Sequence, residues 1–175
     1  MDKSIMPECY ADTLLIETLV PSNDGYNHKH NCFKVESAMK NSEKFAVGII
    51  DKDKKQIRYL SSFDIIDKIE ESLILWKHAV KPQYIIQICP ALEKWILKIC
   101  RDEGIDIANY GFTDDVKDFA RHTKSRINTS DNSLIELFNE LSLRNNYPAI
   151  RKLKGWIILL KEKNYQIDIN ELKNV

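Results

Sequence analysis

Apolar residues fall into short dense runs in the first half of the chain and into helix-spaced stripes in the second half. Near-continuous runs of aliphatic and β-branched residues indicate strands that are buried on both faces. Four such runs predict strands at residues 13–20, 44–51, 73–80 and 83–88. Apolar residues three and four positions apart, with capping residues at the ends, predict helices at residues 32–40, 91–102, 114–124, 134–143 and 149–163.

Three segments have a weaker pattern. Residues 63–69 fit either a turn or a helix, residues 56–59 fit a short edge strand, and residues 165–175 predict a loosely packed end of the chain. Strands and helices alternate in the first half, and helices alone follow, so the sequence predicts an α/β fold. We expect a small, mostly parallel sheet with flanking helices at residues 1–104, and a helical region at residues 105–175 packed on it.

The composition narrows the class of protein. The 175 residues include 26 Lys or Arg and 26 Asp or Glu, so the net charge is zero, which argues against a protein that coats nucleic acid by bulk charge. Four cysteines are scattered without a C-x-x-C pair, a pattern typical of reduced thiols. No apolar run reaches the length of a membrane helix, and the first residues do not form a secretory signal. We therefore expect a cytoplasmic protein that does not enter a membrane, and its oligomeric state is open.

Basic residues are concentrated in the helical half. Residues 121–163 contain nine Lys or Arg and four Asp or Glu. Solvated helix faces are one explanation of this surplus. The alternative is a face that contacts the phosphates of a nucleic acid, because Lys and Arg position such a backbone. The residues expected on that face are Arg144, Arg151, Lys152 and Lys154.

Three acidic residues border the first two predicted strands. Glu17 lies inside the run at residues 13–20, Asp51 ends the run at residues 44–51, and Asp53 follows two residues later. If the two strands are parallel neighbours, their carboxyl ends open into the crevice where ligands bind in α/β sheets. Carboxylates that meet there repel one another unless a cation lies between them, and oxygen ligands suit Mg²⁺ or Mn²⁺. The alternative is a charged turn.

This arrangement resembles the Toprim (topoisomerase–primase) domain, in which a strand ending in Glu is followed by a helical crossover and by an apolar strand ending in D-x-D. The matching segments are L-L-I-E-T, which contains Glu17, and G-I-I-D-K-D, which contains Asp51 and Asp53. Small Toprim-like proteins of bacterial defence systems also carry a strand, a Pro and a helix with E-x-W, similar to residues 85–95 here. The family has Gly directly after the strand-ending Glu, where this sequence has Thr18.

The resemblance implies a Mg²⁺- or Mn²⁺-dependent, nuclease-like reaction at a phosphodiester of nucleic acid. Glu17, Asp51 and Asp53 would be the catalytic metal ligands, and Glu93 would be a fourth carboxylate at the metal. The residues expected to contact substrate phosphates are Lys29, Lys54, Arg151 and Lys152. The alternative, from another class of protein, is a non-catalytic binding or regulatory module that keeps the fold with a degenerate site.

Overall fold

The computed structural model describes residues 3–52, 57–124 and 132–175. Within these residues five strands form one sheet in the order β1-β2-β5-β4-β3. The strands are β1 (Ile5–Pro7), β2 (Ala46–Asp51), β3 (Phe63–Ile69), β4 (Leu73–His78) and β5 (Gln83–Ile88). Strands β1, β2 and β5 are parallel, whereas β4 is antiparallel to both β5 and β3. The predicted α/β class is confirmed, with a mixed sheet.

Helices flank the sheet and make up the second half of the chain. In the described residues they are α1 (Tyr10–Leu19), α2 (Cys32–Lys40), α3 (Leu92–Asp102), α4 (Val116–Lys124), α5 (Asn132–Ser142), α6 (Pro148–Lys163) and α7 (Ile169–Lys173). Helices α2 to α6 lie where helical spacing predicts them, so the helical C-terminal half is confirmed. Among the residues described, no helix combines the length and the apolar character that crossing a bilayer requires.

The segment at residues 13–20 is helical, so the prediction of a strand there is wrong. It belongs to α1, which begins with a capping box: the Asp12 N–H donates to Cys9 Sγ over 3.4 Å, and the Cys9 N–H donates to Asp12 Oδ2 over 2.9 Å. Helix α1 contacts β1, α4 and α5. A helix covered on several sides is apolar nearly all round, and its sequence therefore resembles a buried strand.

Strand β1 takes the position that we expected residues 13–20 to fill. It pairs in parallel with β2, and the Glu8 N–H extends the ladder by donating to the carbonyl oxygen of Ile49 over 2.9 Å. Only three residues form β1, and Pro7 lacks a backbone N–H, which confines it to an edge of the sheet. The parallel neighbour of β2 on this side is therefore β1, and the predicted parallel pair of residues 13–20 with residues 44–51 is wrong.

Two further segments differ from the sequence predictions. Residues 63–69 form strand β3, and the edge strand expected at residues 56–59 is replaced by a short 3₁₀ helix, Arg58–Ser62, while residue 56 lies outside the described residues. The end of the chain is not loosely packed. Leu172 in α7 is completely buried, and its carbonyl oxygen accepts a hydrogen bond from Trp156 Nε1 over 2.9 Å.

One large hydrophobic cluster lies on the face of the sheet that α1 and α3 cover. It includes buried residues of β2 and β5 together with buried residues of α5 and α6, so the helical half packs on the sheet. A smaller cluster lies on the opposite face, under α2. The division of the chain into domains at residue 104 stays a prediction.

A candidate acidic site at the carboxyl edge of the sheet

Four acidic side chains lie where the parallel strands end. Glu8 directly follows β1, Asp51 is the last residue of β2, and Glu93 lies in the first turn of α3, which follows β5. Asp12 lies in the first turn of α1, next to Glu8 along the chain. Since β1, β2 and β5 are parallel neighbours, their carboxyl ends meet at one edge of the sheet. Residues far apart in sequence are thereby brought together.

Backbone N–H groups hold two of these carboxylates in place. The Asp51 N–H donates to Glu8 Oε2 over 3.1 Å, which ties the end of β1 to the end of β2. Asp51 Oδ1 in turn accepts from the Leu92 N–H over 3.0 Å. Helix α3 lacks a side-chain cap of its own, because its N-cap residue is Ala91. Asp51 therefore supplies an acceptor that the first turn of α3 would otherwise lack.

Glu93 is fixed by the helical half of the chain. Its side chain is buried, and its Oε1 accepts a hydrogen bond from Thr123 Oγ1 over 2.7 Å. Thr123 lies in the last turn of α4, which contacts both α1 and α3. The second half of the chain therefore sets the position of one acid at the edge of the sheet.

Asp12 is 1 % exposed. Its Oδ2 accepts from the Cys9 N–H, whereas its Oδ1 has no hydrogen-bond partner among the residues that the structure describes. A buried carboxylate oxygen without a partner costs free energy, so the arrangement requires a proton or a cation near Asp12.

Burial and mutual repulsion change the proton affinity of these acids. Burial, together with the charges of Asp12, Glu8 and Glu93, raises the pKa of Asp51 to about 9. Burial also raises the pKa of Asp12 to about 7, against the lowering effect of its hydrogen bonds with Cys9. At neutral pH the cluster therefore retains a proton, which a divalent cation could replace.

The cluster fits a hard cation in its chemistry, since every donor is a carboxylate oxygen. In the parts of the chain that the structure describes, however, no three Asp, Glu, His or Cys side chains are arranged to hold a metal ion. Mg²⁺ is usually bound through one or two carboxylates and keeps several waters. Glu8 and Asp51 are two carboxylates at neighbouring strand ends, and Asp53, two residues beyond Asp51, lies outside the described residues.

Glu17 does not lie on a strand, and the structure does not bring it to this cluster. It is on α1 five residues after Asp12, roughly 7.5 Å farther along the helix axis. Its Oε1 lies beside Gly25, 3.3 Å from where a Cβ on that glycine would be. The carboxylates that raise the pKa of Asp51 are those of Asp12, Glu8 and Glu93. We therefore carry Glu8 forward in the place of Glu17.

The residues predicted to contact phosphates lie at different places. Lys29 is in the loop beside β1, where its N–H donates to the Pro7 carbonyl oxygen over 3.0 Å, one residue before Glu8. Arg151 is exposed on α6. Lys54 lies outside the described residues.

Three basic residues predicted for the helical half already have partners within the chain. Lys152 Nζ forms an ion pair with Asp67 Oδ2 at 2.6 Å. Arg144 pairs with Glu140 at 2.5 Å, and Lys154 donates to an asparagine on the preceding loop. These contacts lower the availability of the basic surplus for phosphate binding, and that face stays a prediction.

Sequence reasoning missed Glu8 and Asp12. The signal for Glu8 is weak, because only the apolar pair Ile5-Met6 and a proline precede it. The signal for Asp12 is its position three residues after Cys9, which is the spacing of a capping box with cysteine in the place of Ser or Thr. Recognising that helix start would have moved the strand upstream and Glu8 to its end.

No protein-family model, no curated protein and no solved structure matches this chain significantly.

Proposed function

We propose that this chain is a Toprim-like cytoplasmic enzyme that uses Mg²⁺ or Mn²⁺ to cleave a phosphodiester of nucleic acid. The observation that carries the proposal is the meeting of Glu8, Asp12, Asp51 and Glu93 at the carboxyl edge of β1, β2 and β5, with the pKa values of Asp12 and Asp51 raised. Glu8 follows a parallel neighbour of β2, which is the position that the Toprim resemblance assigns to its first acid. Cys9 stands where that family has Gly.

Each residue of the acidic cluster would have a different role in the proposed reaction. Glu8 and Asp51 would hold the ion, with Asp53 as a third acid close by in sequence. A bound divalent ion supplies charge neutralisation at the phosphate and a more acidic water. Asp12 holds the turn between β1 and α1 through the Cys9 N–H, which fixes the direction of Glu8. Glu93, fixed by Thr123, keeps the local potential negative.

A second candidate is a binding or regulatory module without catalysis. One observation favours it: in the described residues no three acids are placed to hold a metal, and the carboxylates of Glu8, Asp51 and Glu93 already accept hydrogen bonds from the protein. A cluster that is stable with a proton in place of a metal ion is what a degenerate site requires.

A matched pair of glutamates tests the proposal. Wild type, Glu8→Gln and Glu17→Gln are incubated with a 5′-labelled 20-nucleotide single strand and millimolar Mn²⁺, and the products are separated on a gel. We expect cleavage by wild type and by Glu17→Gln, and a loss of at least about 100-fold for Glu8→Gln, since a lost ligand removes several kcal/mol of transition-state stabilisation.

Mn²⁺ binding, followed by the electron paramagnetic resonance of the free ion, separates the two candidates. Mn²⁺ binding that is absent from wild type, without cleavage by any variant, supports the module. Cleavage that is equal in all three proteins places the reaction elsewhere and overturns the acidic site. The Mn²⁺ affinity should rise with pH between 6 and 8, because the ion competes with the proton held by Asp51 and Asp12.

A further inference from the structure

A groove of about 450 Å³ runs along the outer edge of β1, on the face of the sheet that α2 covers. One wall is Met6 with the parallel segment at Asn27 and Lys29, whose N–H groups donate to the carbonyl oxygens of Ile5 and Pro7. Tyr165, in the 3₁₀ turn that follows α6, closes the other side. The groove thus lies between the sheet edge and the C-terminal half of the chain.

The charged residues that line this groove are all basic. Three lysines line it, Lys3, Lys29 and Lys44, and no Asp or Glu is found among its described lining residues. Within residues 3–52, 57–124 and 132–175, these three ammonium groups have no carboxylate partner, whereas Lys152 on α6 is paired with Asp67. In a chain whose net charge is zero, three unpaired cations around one groove favour an anionic occupant.

The lysines lie at both ends of β1 rather than around a point: Lys3 and Lys44 at its start and Lys29 at its end. Lys3 precedes β1, Lys44 precedes β2, and Lys29 lies beside the last residue of β1. At about 3.3 Å per residue, residues 3 to 7 of an extended chain cover roughly 13 Å. Cations spread over that length match a chain of phosphates better than a single phosphate or a metabolite carboxylate.

Tyr165 adds an aromatic surface to the same groove. Its side chain is 65 % exposed, yet its hydroxyl accepts a hydrogen bond from the Phe45 N–H over 2.9 Å, and its ring lies 5.7 Å from that of Phe45. The ring is therefore held at one end and exposed to solvent. A basic groove with an anchored, exposed aromatic ring is the combination that binds single-stranded nucleic acid, through phosphate contacts and base stacking.

The groove also leads toward the acidic cluster. Lys29 is bonded through its N–H to Pro7, the residue before Glu8, so the carboxyl end of the groove reaches the edge of the sheet where the acids lie. We propose that the groove lined by Lys3, Lys29, Lys44 and Tyr165 binds a single strand of nucleic acid and directs it to that edge. The inference rests on the proposed function for its biological sense, but the binding itself does not require the reaction.

Fluorescence anisotropy of a labelled 12-nucleotide oligothymidylate, with EDTA and 50 mM salt, tests the groove. The first variant replaces Lys3, Lys29 and Lys44 with Gln, and a matched control replaces the exposed Lys68, Lys117 and Lys173 with Gln. The two triple variants have the same net charge. We expect the groove variant to raise the Kd at least about tenfold. Each phosphate contact contributes about 0.7 to the slope of log Kd against log salt, so the loss of three lysines should lower that slope by about 2. The control should stay within about twofold of wild type.

Variants of Tyr165 provide a second test of the groove, by the same binding measurement. We expect Tyr165→Leu to raise the Kd at least about fivefold and Tyr165→Phe to bind like wild type, because stacking needs the ring and not the hydroxyl. A 12-base-pair duplex should bind more weakly than the single strand. Equal losses in the two triple variants, a duplex that binds as tightly as the strand, or wild-type protein that binds no strand at all would each overturn the inference.

The outcomes separate the groove from the reaction. Glu8→Gln should bind the oligonucleotide in EDTA like wild type. Strand binding that depends on the groove, without cleavage in Mn²⁺, leaves the groove standing and removes the proposed reaction. Cleavage that is unchanged by the triple groove variant removes the groove and leaves the reaction.

Discussion

The backbone N–H of Asp51 donates a hydrogen bond to Glu8 Oε2 over 3.1 Å, between two acidic residues 43 positions apart in sequence. The bond joins the ends of two parallel strands through the backbone of Asp51. The side chain of Asp51 is thereby free to cap α3 through Leu92. Glu8, Asp12 and Asp51 accept from backbone N–H groups and Glu93 accepts from a hydroxyl, so the cluster can persist without an ion.

The metal-free protein should lose stability as the pH rises. Asp12 and Asp51 have folded pKa values above the value of about 3.9 in an unfolded chain, so the folded state binds more protons than the unfolded state between pH 4 and the raised pKa values. The free energy of unfolding therefore falls with increasing pH over that window. Asp51→Asn keeps the oxygen that accepts from Leu92 but removes the charge, and should be more stable than wild type at pH 8 by at least about 1 kcal/mol.

Thermal unfolding in EDTA at pH 5, 7 and 9 checks this sign. The control is Asp64→Asn, because Asp64 is exposed on β3, and it should follow the wild-type pH profile. A profile for Asp51→Asn that is parallel to wild type would show that Asp51 is ionised without cost and holds no proton that a metal ion could replace.

Thr123 should matter for both stability and metal binding. Thr123→Val keeps the shape of the side chain but removes the donor to Glu93 Oε1, which leaves a buried carboxylate oxygen without that bond. We expect a loss of about 1 to 3 kcal/mol in the free energy of unfolding. Thr123→Ser retains the hydroxyl and should therefore keep most of the wild-type free energy of unfolding. Urea unfolding measures the loss of stability. A Mn²⁺ affinity that changes in Thr123→Val but not in Thr123→Ser would show that α4 positions the site.

The sequence pattern gives most of the fold and misplaces its first element. Strands β2, β4 and β5 and helices α2 to α6 are predicted because each has a strong apolar pattern with clear breakers such as Pro90 and Gly104. Residues 13–20 fail because α1 is enclosed by the sheet, α4 and α5, which removes the polar face that identifies a helix. Strand β1 fails because three residues with a proline give too little pattern.

The same error explains the partial prediction of the site. Asp51 ends β2 and Glu93 lies in the first turn of α3, as the sequence predicts, and their role in a site stays a prediction. The sequence pattern points to Glu17 and not to Glu8 because it predicts the first strand at residues 13–20, whereas β1 begins at Ile5. The partners of Glu93 and Asp12 depend on packing between α4, α1 and the sheet, which a local pattern does not contain. Tertiary contacts decide those positions.

The C-terminal helix α7 should contribute to stability. Leu172 is fully buried, whereas Leu143 is 69 % exposed, so the two leucines form a matched pair. We expect Leu172→Ala to cost about 2 to 5 kcal/mol through lost burial and a cavity, and Leu143→Ala to stay within about 0.5 kcal/mol of wild type. Urea unfolding followed by circular dichroism compares them. A small loss for Leu172→Ala would restore the loosely packed tail that the sequence predicts.

Two buried glutamines of β5 should respond in opposite ways to the same substitution. Gln83 Nε2 donates to the carbonyl oxygens of Met39 and Ser42, at 2.9 and 2.7 Å, and Gln83 Oε1 accepts from Tyr59 Oη at 2.8 Å. Gln87 is equally buried, but within the described residues neither atom of its amide has a partner. Removing an amide whose hydrogen bonds are all formed leaves its buried partners without hydrogen bonds, which lowers stability. Removing a buried amide that has no partners instead removes the free-energy cost of its desolvation.

Methionine is close to glutamine in shape and lacks both polar groups, so it isolates this difference. We expect Gln83→Met to lower the free energy of unfolding by about 2 kcal/mol or more, because two carbonyl groups and a hydroxyl lose their partners together. Gln87→Met should be as stable as wild type or more stable. Urea unfolding with equal m-values measures both variants. If Gln87→Met is destabilised as much as Gln83→Met, Gln87 has a polar partner that the described residues do not include.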